Sequence, residues 1–523
     1  MSRPLKTVVV IGAGIAGLAT AGLLAREGFR VTVVEGRDSI GGRAGSWQQQ
    51  GFRFDTGPSW YLMPEVFEHF FRLMGTTADR ELDLRRLTPA YRIYPEPPGI
   101  GPAQPLDVHS GREVATALFD EVEPGAGERL AGYLDSAAET YELAVQKFLY
   151  DSYENAASLR DPALLRRLPK LAPLLSRSLA GLIESRFTDR RLRQILGYPA
   201  VFLGGSPYRM PSLYHLMSHL DLDQGVLYPQ GGMTTVIEAI ARLATAAGAR
   251  IETDAEVTRI LTRDRWVRGV RLADGREVPA DLVVSTADLH HTETALLERT
   301  QQTYPQRWWN RRTPSPGALL IMLGVRGELP ELAHHTLLFT ADWRANFEAI
   351  FGPSARIPDP ASIYVCRPSA TDPSVAPPGD ENLFTLVPVP ADPSIGHGGI
   401  DGAGDPRVEA AADRVVAQLA TWCGVDDLAE RVVVRRTVAP GDFSSELNSW
   451  QGNALGLAHT LRQSAMFRPR GASRKVGGLL YAGASTLPGI GMPMCLISAE
   501  LVLKRLRGDR TPGPLPEPAE GGT

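Results

Sequence analysis

The longest apolar run in the chain extends from Val8 to Ala25 and is interrupted by four glycines. No cleavage-like polar region follows the run, so the pattern does not favour a signal peptide. Its 18 residues are marginal for crossing a bilayer. The pattern instead predicts a buried strand at Thr7–Ile11, a Gly-rich turn, a helix over Leu18–Arg26 that Gly28 ends, and a second buried strand at Phe29–Glu35.

The turn at Gly12–Gly17 reads GAGIAG and fits the pattern GxGxxG. In such a turn the first glycine permits a tight bend, the second lets a pyrophosphate approach the backbone, and the third lets the helix lie close to the strand. The helix N-terminus offers free N–H groups and a partial positive charge to a diphosphate. Glu35 lies 21 residues after Gly14, where a carboxylate accepts both ribose hydroxyls and repels a 2′-phosphate. The segment therefore predicts a dinucleotide site that disfavours NADP.

The residues after Glu35 favour FAD over NAD. Gly41 and Gly42 let the chain pass close to a cofactor, and Arg43 can neutralise a diphosphate with two hydrogen bonds. Residues 51–60 read GFRFDTGPSW, which predicts a short strand and then a turn. This turn either lies against the edge of a flavin or is only a turn. The chain has no second GxGxxG for NAD.

Two later segments complete the predicted nucleotide site. Residues 226–260 predict a strand, the loop YPQGGM, an amphipathic helix and further strands, among which Val257 is the natural candidate for contact with the adenine side. A hairpin at 265–278 and a buried strand at 281–286 follow. Residues 477–506 predict another strand, a Gly/Pro turn and a helix from Cys495, which offer a second helix N-terminus to a phosphate or a flavin ring.

The rest of the chain is read more coarsely. Residues 100–224 predict mostly helices, and residues 300–470 predict short strands separated by Pro-rich loops, with 352–380 and 388–406 as excursions from the core. Residues 508–523 predict a disordered tail.

The composition mainly serves to exclude classes of partner and of metal or disulfide site. The 523 residues carry a net charge of −4, so no nucleic-acid partner is indicated. Three well-spaced cysteines form neither a disulfide framework nor a CxxC metal site, which favours a reducing cytosol. The sequence predicts no metal site and no catalytic acid or base. The pairs His290–His291 and His334–His335 have no partner that the sequence identifies.

Four segments together resemble the bacterial-type phytoene desaturases, the carotenoid branch of the flavin amine oxidase superfamily. They read VVVIGAGIAGLATAGLLAREGFRVTVVEGRDSIGGRAG, GFRFDTGPSWYLMPEVFEHFFRLMG, VLYPQGGM and LLYAGASTLPGIGMPM. The FDTGPSWYLMPEVF and PGIGMP stretches are the more specific to carotenoid desaturases. Ser485, Leu487 and Met494 depart from the family's usual Gly, His and Gly.

The resemblance implies an α/β fold in which residues 1–75, 225–300 and 470–507 form a discontinuous, Rossmann-like FAD-binding domain. An α+β substrate domain is expected, with a helical, membrane-facing part at 76–224 and a sheet part at 301–469. FAD is the expected cofactor. The expected cofactor-binding residues are Gly12, Ala13, Gly14, Ile15, Ala16, Gly17, Glu35, Gly42, Arg43, Gly57, Pro58, Ser59, Val257, Gly483, Gly491 and Met492.

The implied reaction is desaturation of phytoene or a related acyclic carotenoid hydrocarbon, with a hydride passing from an allylic carbon to the flavin. Oxygen and a membrane quinone both remain open as electron acceptors. Alternatives are another FAD enzyme of the same fold (a carotene isomerase, a ketolase, an amine oxidase or a protoporphyrinogen oxidase) and a non-enzymatic lipid-binding escort. Intact phosphate-binding glycines disfavour the escort.

A lipid-soluble substrate requires contact with a membrane, so a cytoplasmic protein peripheral to the inner face of the cell membrane is expected. Residues 166–193 have a net charge of +6, and leucines alternate with the basic residues, which suits an interfacial amphipathic helix. Pro169 and Pro173 are expected to break this helix. The basic residues are Arg166, Arg167, Lys170, Arg177, Arg186, Arg190, Arg191 and Arg193, and the leucines are Leu168, Leu171, Leu174, Leu175, Leu179 and Leu182.

Overall fold

The computed structural model describes residues 6–99, 101–154 and 162–518, without the side chains of 162–165 and 168. The strands of this part of the chain are β1 Thr7–Ile11, β2 Arg30–Val34, β3 Ser46–Gln49, β4 Phe52–Asp55, β5 Leu84–Arg86, β6 Tyr91–Pro95, β7 Leu106–Val108, β8 Leu227–Pro229, β9 Arg250–Glu252, β10 Val257–Arg263, β11 Trp266–Leu272, β12 Glu277–Pro279, β13 Leu282–Ser285, β14 Gly317–Arg326, β15 His335–Phe339, β16 Ile363–Cys366, β17 Asp380–Val389, β18 Val432–Val438 and β19 Leu479–Tyr481.

The helices accompany the strands along the whole chain, and short 3₁₀ and π turns join several of them. The α-helices are α1 Ile15–Arg26, α2 Pro64–Leu73, α3 Ala78–Glu81, α4 Arg112–Val122, α5 Ala126–Ala144, α6 Pro162–Ser176, α7 Leu179–Glu184, α8 Arg190–Gly197, α9 Thr234–Ala246, α10 Leu289–Thr294, α11 Gln306–Trp309, α12 Trp343–Phe351, α13 Pro406–Cys423, α14 Leu428–Arg431, α15 Pro440–Leu447 and α16 Met492–Arg507.

A five-stranded parallel sheet forms the Rossmann-like layer, in the order β19-β13-β1-β2-β9. Four of the five residues of β1 are buried, which agrees with its continuous β-branched sequence. Helices α9 and α16 pack against α1 on this sheet. The strands come from all three segments that the sequence assigns to the discontinuous domain. The predicted α/β fold class is confirmed.

A second, mixed sheet of seven strands has the order β18-β14-β17-β16-β15-β6-β7. One of its faces packs on α13 in an apolar core of its own. Two expectations are wrong here. Strand β16 lies inside 352–380, which was expected to be an excursion, and all four of its residues are buried. Strands β5, β6 and β7 lie inside 76–224, so apart from the one-turn helix α3 the helices of this part begin only at Arg112.

The predicted break of the basic helix at its prolines is also wrong. Pro169 and Pro173 lie inside the continuous helix α6, and the helix ends at Ser176. Both prolines are exposed. Their four-residue spacing places them on one face of the helix, where water can donate hydrogen bonds to the carbonyl oxygens that the missing proline N–H groups leave without a donor. The chain turns after Arg177, and Ser178 caps α7 by accepting a hydrogen bond from the N–H of Gly181.

The C-terminal segment is not a disordered tail as far as the structure describes it. The Nζ of Lys504 donates to the carbonyl of Thr511 at 2.7 Å, and the N–H of Leu515 donates to the carboxylate of Glu500 at 2.6 Å. The side chain of Leu515 is buried in the main core. Residues 508–518 therefore cover one face of α16, and residues 519–523 lie outside the described residues.

Candidate functional site

A cavity of about 960 Å³ joins the parallel sheet to the seven-stranded sheet. One end is lined by the turns that follow β1 and β19, together with the carboxyl end of β2. The other end is lined by apolar and aromatic side chains from α5, α6, α12 and the seven-stranded sheet. Ligands of parallel α/β sheets bind outside the carboxyl ends of the strands, which is where this cavity begins.

The predicted cofactor-binding residues line this cavity, with the exceptions of Ala13 and Gly17. Ala13 is fully buried, and its backbone N–H donates a hydrogen bond to the carboxylate of Glu35. A Cβ added to Gly17 would lie 1.9 Å from the carbonyl oxygen of Gly12, so this glycine is required for close helix–strand packing. The residues that line the cavity are Gly12, Gly14, Ile15, Ala16, Glu35, Gly42, Arg43, Gly57, Pro58, Ser59, Val257, Gly483, Gly491 and Met492.

The first turn is shaped around an open approach to the backbone. Gly12 has φ +98°, in the left-handed region that favours glycine. A Cβ on Gly14 would meet nothing closer than 3.9 Å, so this glycine leaves free space beside the N-terminus of α1. The carboxylate of Glu35 accepts hydrogen bonds from the N–H of Ala13 at 2.7 Å and of Arg37 at 3.0 Å. These bonds fix the acidic group at the cavity wall beside the turn.

Hydrogen bonding holds the guanidinium group of Arg43 but leaves its Nε without a partner in the described part of the chain. Its Nη2 donates to the hydroxyl of Ser449 at 2.5 Å and lies 3.8 Å from the carboxylate of Asp288. Its Nε is buried and has no hydrogen-bond partner among the described residues. A buried guanidinium donor that faces a cavity and lacks a partner fits an anionic oxygen bound there. The residues present therefore fit the diphosphate of a dinucleotide.

Asp55 ties two of the sequence motifs together. Its carboxylate accepts hydrogen bonds from the N–H of Met233 at 2.7 Å and from the N–H and hydroxyl of Thr234 at 3.1 and 2.7 Å. Burial raises the pKa of Asp55. A Cβ on Gly232, which has φ +90°, would lie 2.7 Å from this carboxylate. The FDTG turn and the YPQGGM loop thus meet at the start of α9, which the sequence did not reveal.

The C-terminal turn supplies the opposite wall. The N–H of Gly483 donates to the hydroxyl of Ser498 at 3.0 Å, which anchors the turn to its own helix. Helix α16 begins at Met492, three residues before the predicted Cys495, and Gly491 is its N-cap with φ +116°. The helix N-terminus therefore lies at the cavity, as do the predicted residues Gly491 and Met492.

Comparison with known proteins identifies the family. The profile of one family, described as flavin containing amine oxidoreductase, matches residues 15–502. The chain belongs to this family. Its predicted cofactor is therefore confirmed as FAD, and it is an oxidoreductase. Which atoms of FAD each of the lining residues contacts stays a prediction.

Individual relatives of this flavin oxidoreductase indicate the branch of the family to which it is similar. A carotenoid 3,4-desaturase of Haloarcula japonica is 40% identical over 504 residues, which cover 96% of this chain and 98% of that protein. A zeta-carotene-forming phytoene desaturase of Myxococcus xanthus is 35% identical, over 96% of this chain and 94% of that protein. A solved putrescine oxidase with bound putrescine has a TM-score of 0.58 at 16% identity, over 96% of this chain and 99% of that one, and it supports the fold alone.

The aromatic wall of the cavity was largely missed by sequence reasoning. Trp60 packs near Tyr198 and Phe202, with ring centroids 6.1 and 5.4 Å away, and all three line the cavity. Tyr364 of β16 joins them, and its hydroxyl lies 2.6 Å from that of Ser59. Only Trp60 belongs to a quoted motif. The others come from segments without a motif: Tyr198 and Phe202 lie in the 3₁₀ turn Tyr198–Leu203 that follows α8, and only Tyr364 is placed by the second sheet.

The ionisable groups near this wall are adapted to an apolar setting. Burial, with the charge of Arg468 nearby, lowers the pKa of the cavity-lining His459 well below its ordinary value. The Nε2 of His459 accepts a hydrogen bond from the N–H of Ile490 at 3.2 Å. Burial raises the pKa of Asp221 to about 7. The hydroxyls of Tyr198 and Tyr91 donate to this carboxyl at 2.9 and 3.2 Å, from behind the wall.

The cavity opens beside exposed apolar side chains. Leu175 of α6 is 38% exposed. Leu461, Met466 and Phe467, from a later segment of the chain, are 48%, 38% and 58% exposed. All four side chains also line the cavity. We call these four residues the apolar rim. Within the described residues, no helix combines the length and the hydropathy that a membrane crossing requires.

Proposed function

We propose that this flavoenzyme desaturates an acyclic carotenoid hydrocarbon such as phytoene. The observation that carries the proposal is a single cavity whose one end is built for a dinucleotide and whose other end is apolar. A polyene without heteroatoms offers nothing to hydrogen-bond, so only shape and apolar contact can hold it. The similarity to carotenoid and phytoene desaturases over nearly the full chain supports the same substrate class.

In this scheme the residues of the chain bind the cofactor and orient the substrate. The N-terminus of α1 and Arg43 hold the diphosphate, and Glu35 accepts the ribose hydroxyls. When bound, FAD supplies the acceptor for the hydride that leaves an allylic carbon. The aromatic wall around Trp60 excludes water from the polyene and places its carbons along the cavity.

The direct test supplies phytoene in liposomes together with FAD and reads the absorption bands of the product, which count its conjugated double bonds. Lycopene is offered in parallel, because the relatives include both a phytoene desaturase and a 3,4-desaturase. New bands at longer wavelength are expected with at least one substrate. A shift of geometry without loss of hydrogen would favour an isomerase, and oxidation of amines alone would favour an amine oxidase. Protein that shows no flavin spectrum after addition of FAD would favour an escort.

The same assay distinguishes the two candidate electron acceptors, oxygen and a quinone. Turnover under oxygen without quinone, or under argon only with an added quinone, assigns the acceptor to one of the two predicted classes. Each arm is run with the same FAD-loaded protein and the same liposomes, so that only the acceptor differs.

We further propose that the apolar rim touches the membrane from which the carotenoid enters. The 3₁₀ turn at Ser212–Leu216 connects its two sides, since the hydroxyl of Ser212 donates to the carbonyl of Leu174 and the hydroxyl of Tyr214 lies 2.7 Å from that of Ser464. Arg177 and Arg462 are exposed beside the rim, where they suit anionic lipid headgroups. The protein would then be peripheral on the inner face of the cell membrane.

The basic segment of the sequence contributes only in part to this surface. Of its leucines, Leu171, Leu179 and Leu182 are buried, and the side chain of Leu168 lies outside the described residues. Arg190, Arg191 and Arg193 do not line the cavity. The proposed membrane surface is therefore the end of α6 and the rim, rather than α8.

A further inference from the structure

Two buried histidines and one buried cysteine meet on the seven-stranded sheet. His335 of β15 is directly opposite Cys366 of β16 in the antiparallel ladder, and His334 immediately precedes β15. The three side chains are no more than 5% exposed. Their ligand atoms, one imidazole nitrogen from each histidine and the Sγ of the cysteine, all lie within 4.8 Å of one another.

A hydroxyl group at the Nδ1 atom of each histidine holds the ring in its orientation. The Nδ1 of His334 lies 2.8 Å from the hydroxyl of Thr371, and the Nδ1 of His335 lies 2.8 Å from the hydroxyl of Tyr364. This is the arrangement that fixes metal-bound histidines, in which an oxygen holds the ring nitrogen that does not bind the metal. The Nε2 atoms of both rings are buried and have no hydrogen-bond partner among the described residues.

Two adjacent orphaned nitrogens need an explanation. A buried polar atom without a partner is destabilising, and native structures hold few of them. Both rings are buried, a setting that favours the neutral imidazole, which keeps one ring nitrogen with a free lone pair. The guanidinium of Arg367 and, more weakly, the carboxylate of Asp372 act on His334, and the carboxylate of Asp55 acts on Cys366.

We propose that His334, His335 and Cys366 bind a zinc ion. Two neutral imidazole nitrogens and one thiolate are donors that Zn²⁺ prefers. Two Zn–N bonds and one Zn–S bond replace bonds from the hydrated ion to water, the displaced water returns to solvent, and the thiol releases its proton to solvent. No electron is transferred.

The ion would hold the cavity wall in place. The ring of His335 stacks on that of Trp60, with centroids 4.2 Å apart and planes 9° apart, and its Nδ1 meets Tyr364. Both Trp60 and Tyr364 line the cavity. The site is thus a structural support one layer behind the polyene, on residues that the flavin-binding motifs do not include.

The test measures metal content in the FAD-loaded full chain, purified from zinc-supplemented cells and dialysed against EDTA. Elemental analysis is expected to find about one zinc per chain, and Cys366→Ser and His334→Asn are expected to lower this at least tenfold. Cys423→Ser is the matched control, because Cys423 is also buried but lies on α13 in the other core. The control should keep its zinc.

X-ray absorption at the zinc edge of the unmodified protein supplies a second measurement that needs no variant to fold. One sulfur at about 2.3 Å and nitrogens at about 2.0 Å are expected. Less than about a tenth of an ion of any transition metal per chain would overturn the proposal. So would zinc that remains in Cys366→Ser, or an absorption spectrum without a sulfur neighbour. In these cases the two Nε2 atoms share a water molecule instead.

Discussion

Replacing Phe467 by serine tests whether the apolar rim enters the membrane. The side chain is 58% exposed, and a phenylalanine offers roughly 200 Å² of surface. About 115 Å² of apolar surface would therefore leave water on docking, which at roughly 25 cal/mol per Å² is worth about 3 kcal/mol. Its loss should weaken binding to vesicles about a hundredfold.

The assay is flotation of the FAD-loaded protein with neutral and with anionic lipid vesicles. Trp266→Ser is the matched control, because Trp266 is 50% exposed but does not line the cavity. We expect this control to bind vesicles as the unmodified protein does. An unchanged flavin spectrum and flavin stoichiometry would show that both variants are folded.

Salt separates the apolar contribution from the electrostatic one. Arg177 and Arg462 should add about 1 kcal/mol each on anionic vesicles, and high salt should remove that gain. The defect of Phe467→Ser should persist at high salt and on neutral vesicles, because burial of apolar surface is not screened. If Phe467→Ser bound neutral vesicles as tightly as the control, the rim would not enter the membrane and the reasoning would be refuted.

Three further variants address the nucleotide site and the cavity wall. Gly17→Ala should destabilise the fold by about 1–3 kcal/mol, since its Cβ would lie 1.9 Å from the Gly12 carbonyl, whereas Gly14→Ala should fold and bind FAD more weakly; thermal melts and flavin titration distinguish them. Glu35→Gln should weaken FAD binding about tenfold or more by flavin titration, because a charged acceptor is lost, and unchanged affinity would contradict the assigned role. Because the pKa of Asp221 is raised to about 7, the folded state binds more protons and stability falls as pH rises from about 4 to about 7, by about 4 kcal/mol at most; Asp221→Asn should flatten this fall in denaturant melts at pH 5 and pH 8.

The nucleotide-binding part was predictable because its physics is local. Gly12, Gly14 and Gly17 act within one turn, and the position of Glu35 follows from the length of one strand–helix–strand unit. The second glycine turn was found for the same reason, with an error of three residues at the start of α16. A short motif specifies such elements completely, so they can be recognised in a single sequence without an alignment.

The cavity wall was not predictable in this way. Strand β16 is only four residues long and lies among proline-rich loops, so its pattern resembles an excursion from the core. Its burial is decided by pairing with the preceding strand β15 and the following strand β17, which its own four residues do not specify. Helix α6 shows the converse case, since two prolines predict a break where their exposed positions let the helix continue. Tertiary context overrides local propensity at these places.

The two ends of the cavity differ in how they can select a ligand. At the nucleotide end, we expect Glu35 and Arg43 to discriminate by charge and hydrogen bonding, since a wrong ligand would leave a buried polar group unpaired. At the apolar end, polyenes of different length differ only by small increments of contact, and each extra methylene is worth roughly 1–3 kcal/mol. Selection among carotenoids must therefore come from where the wall stops the chain. We therefore expect the positions of Trp60 and Tyr364, both of which contact His335, to influence which bond reaches the flavin.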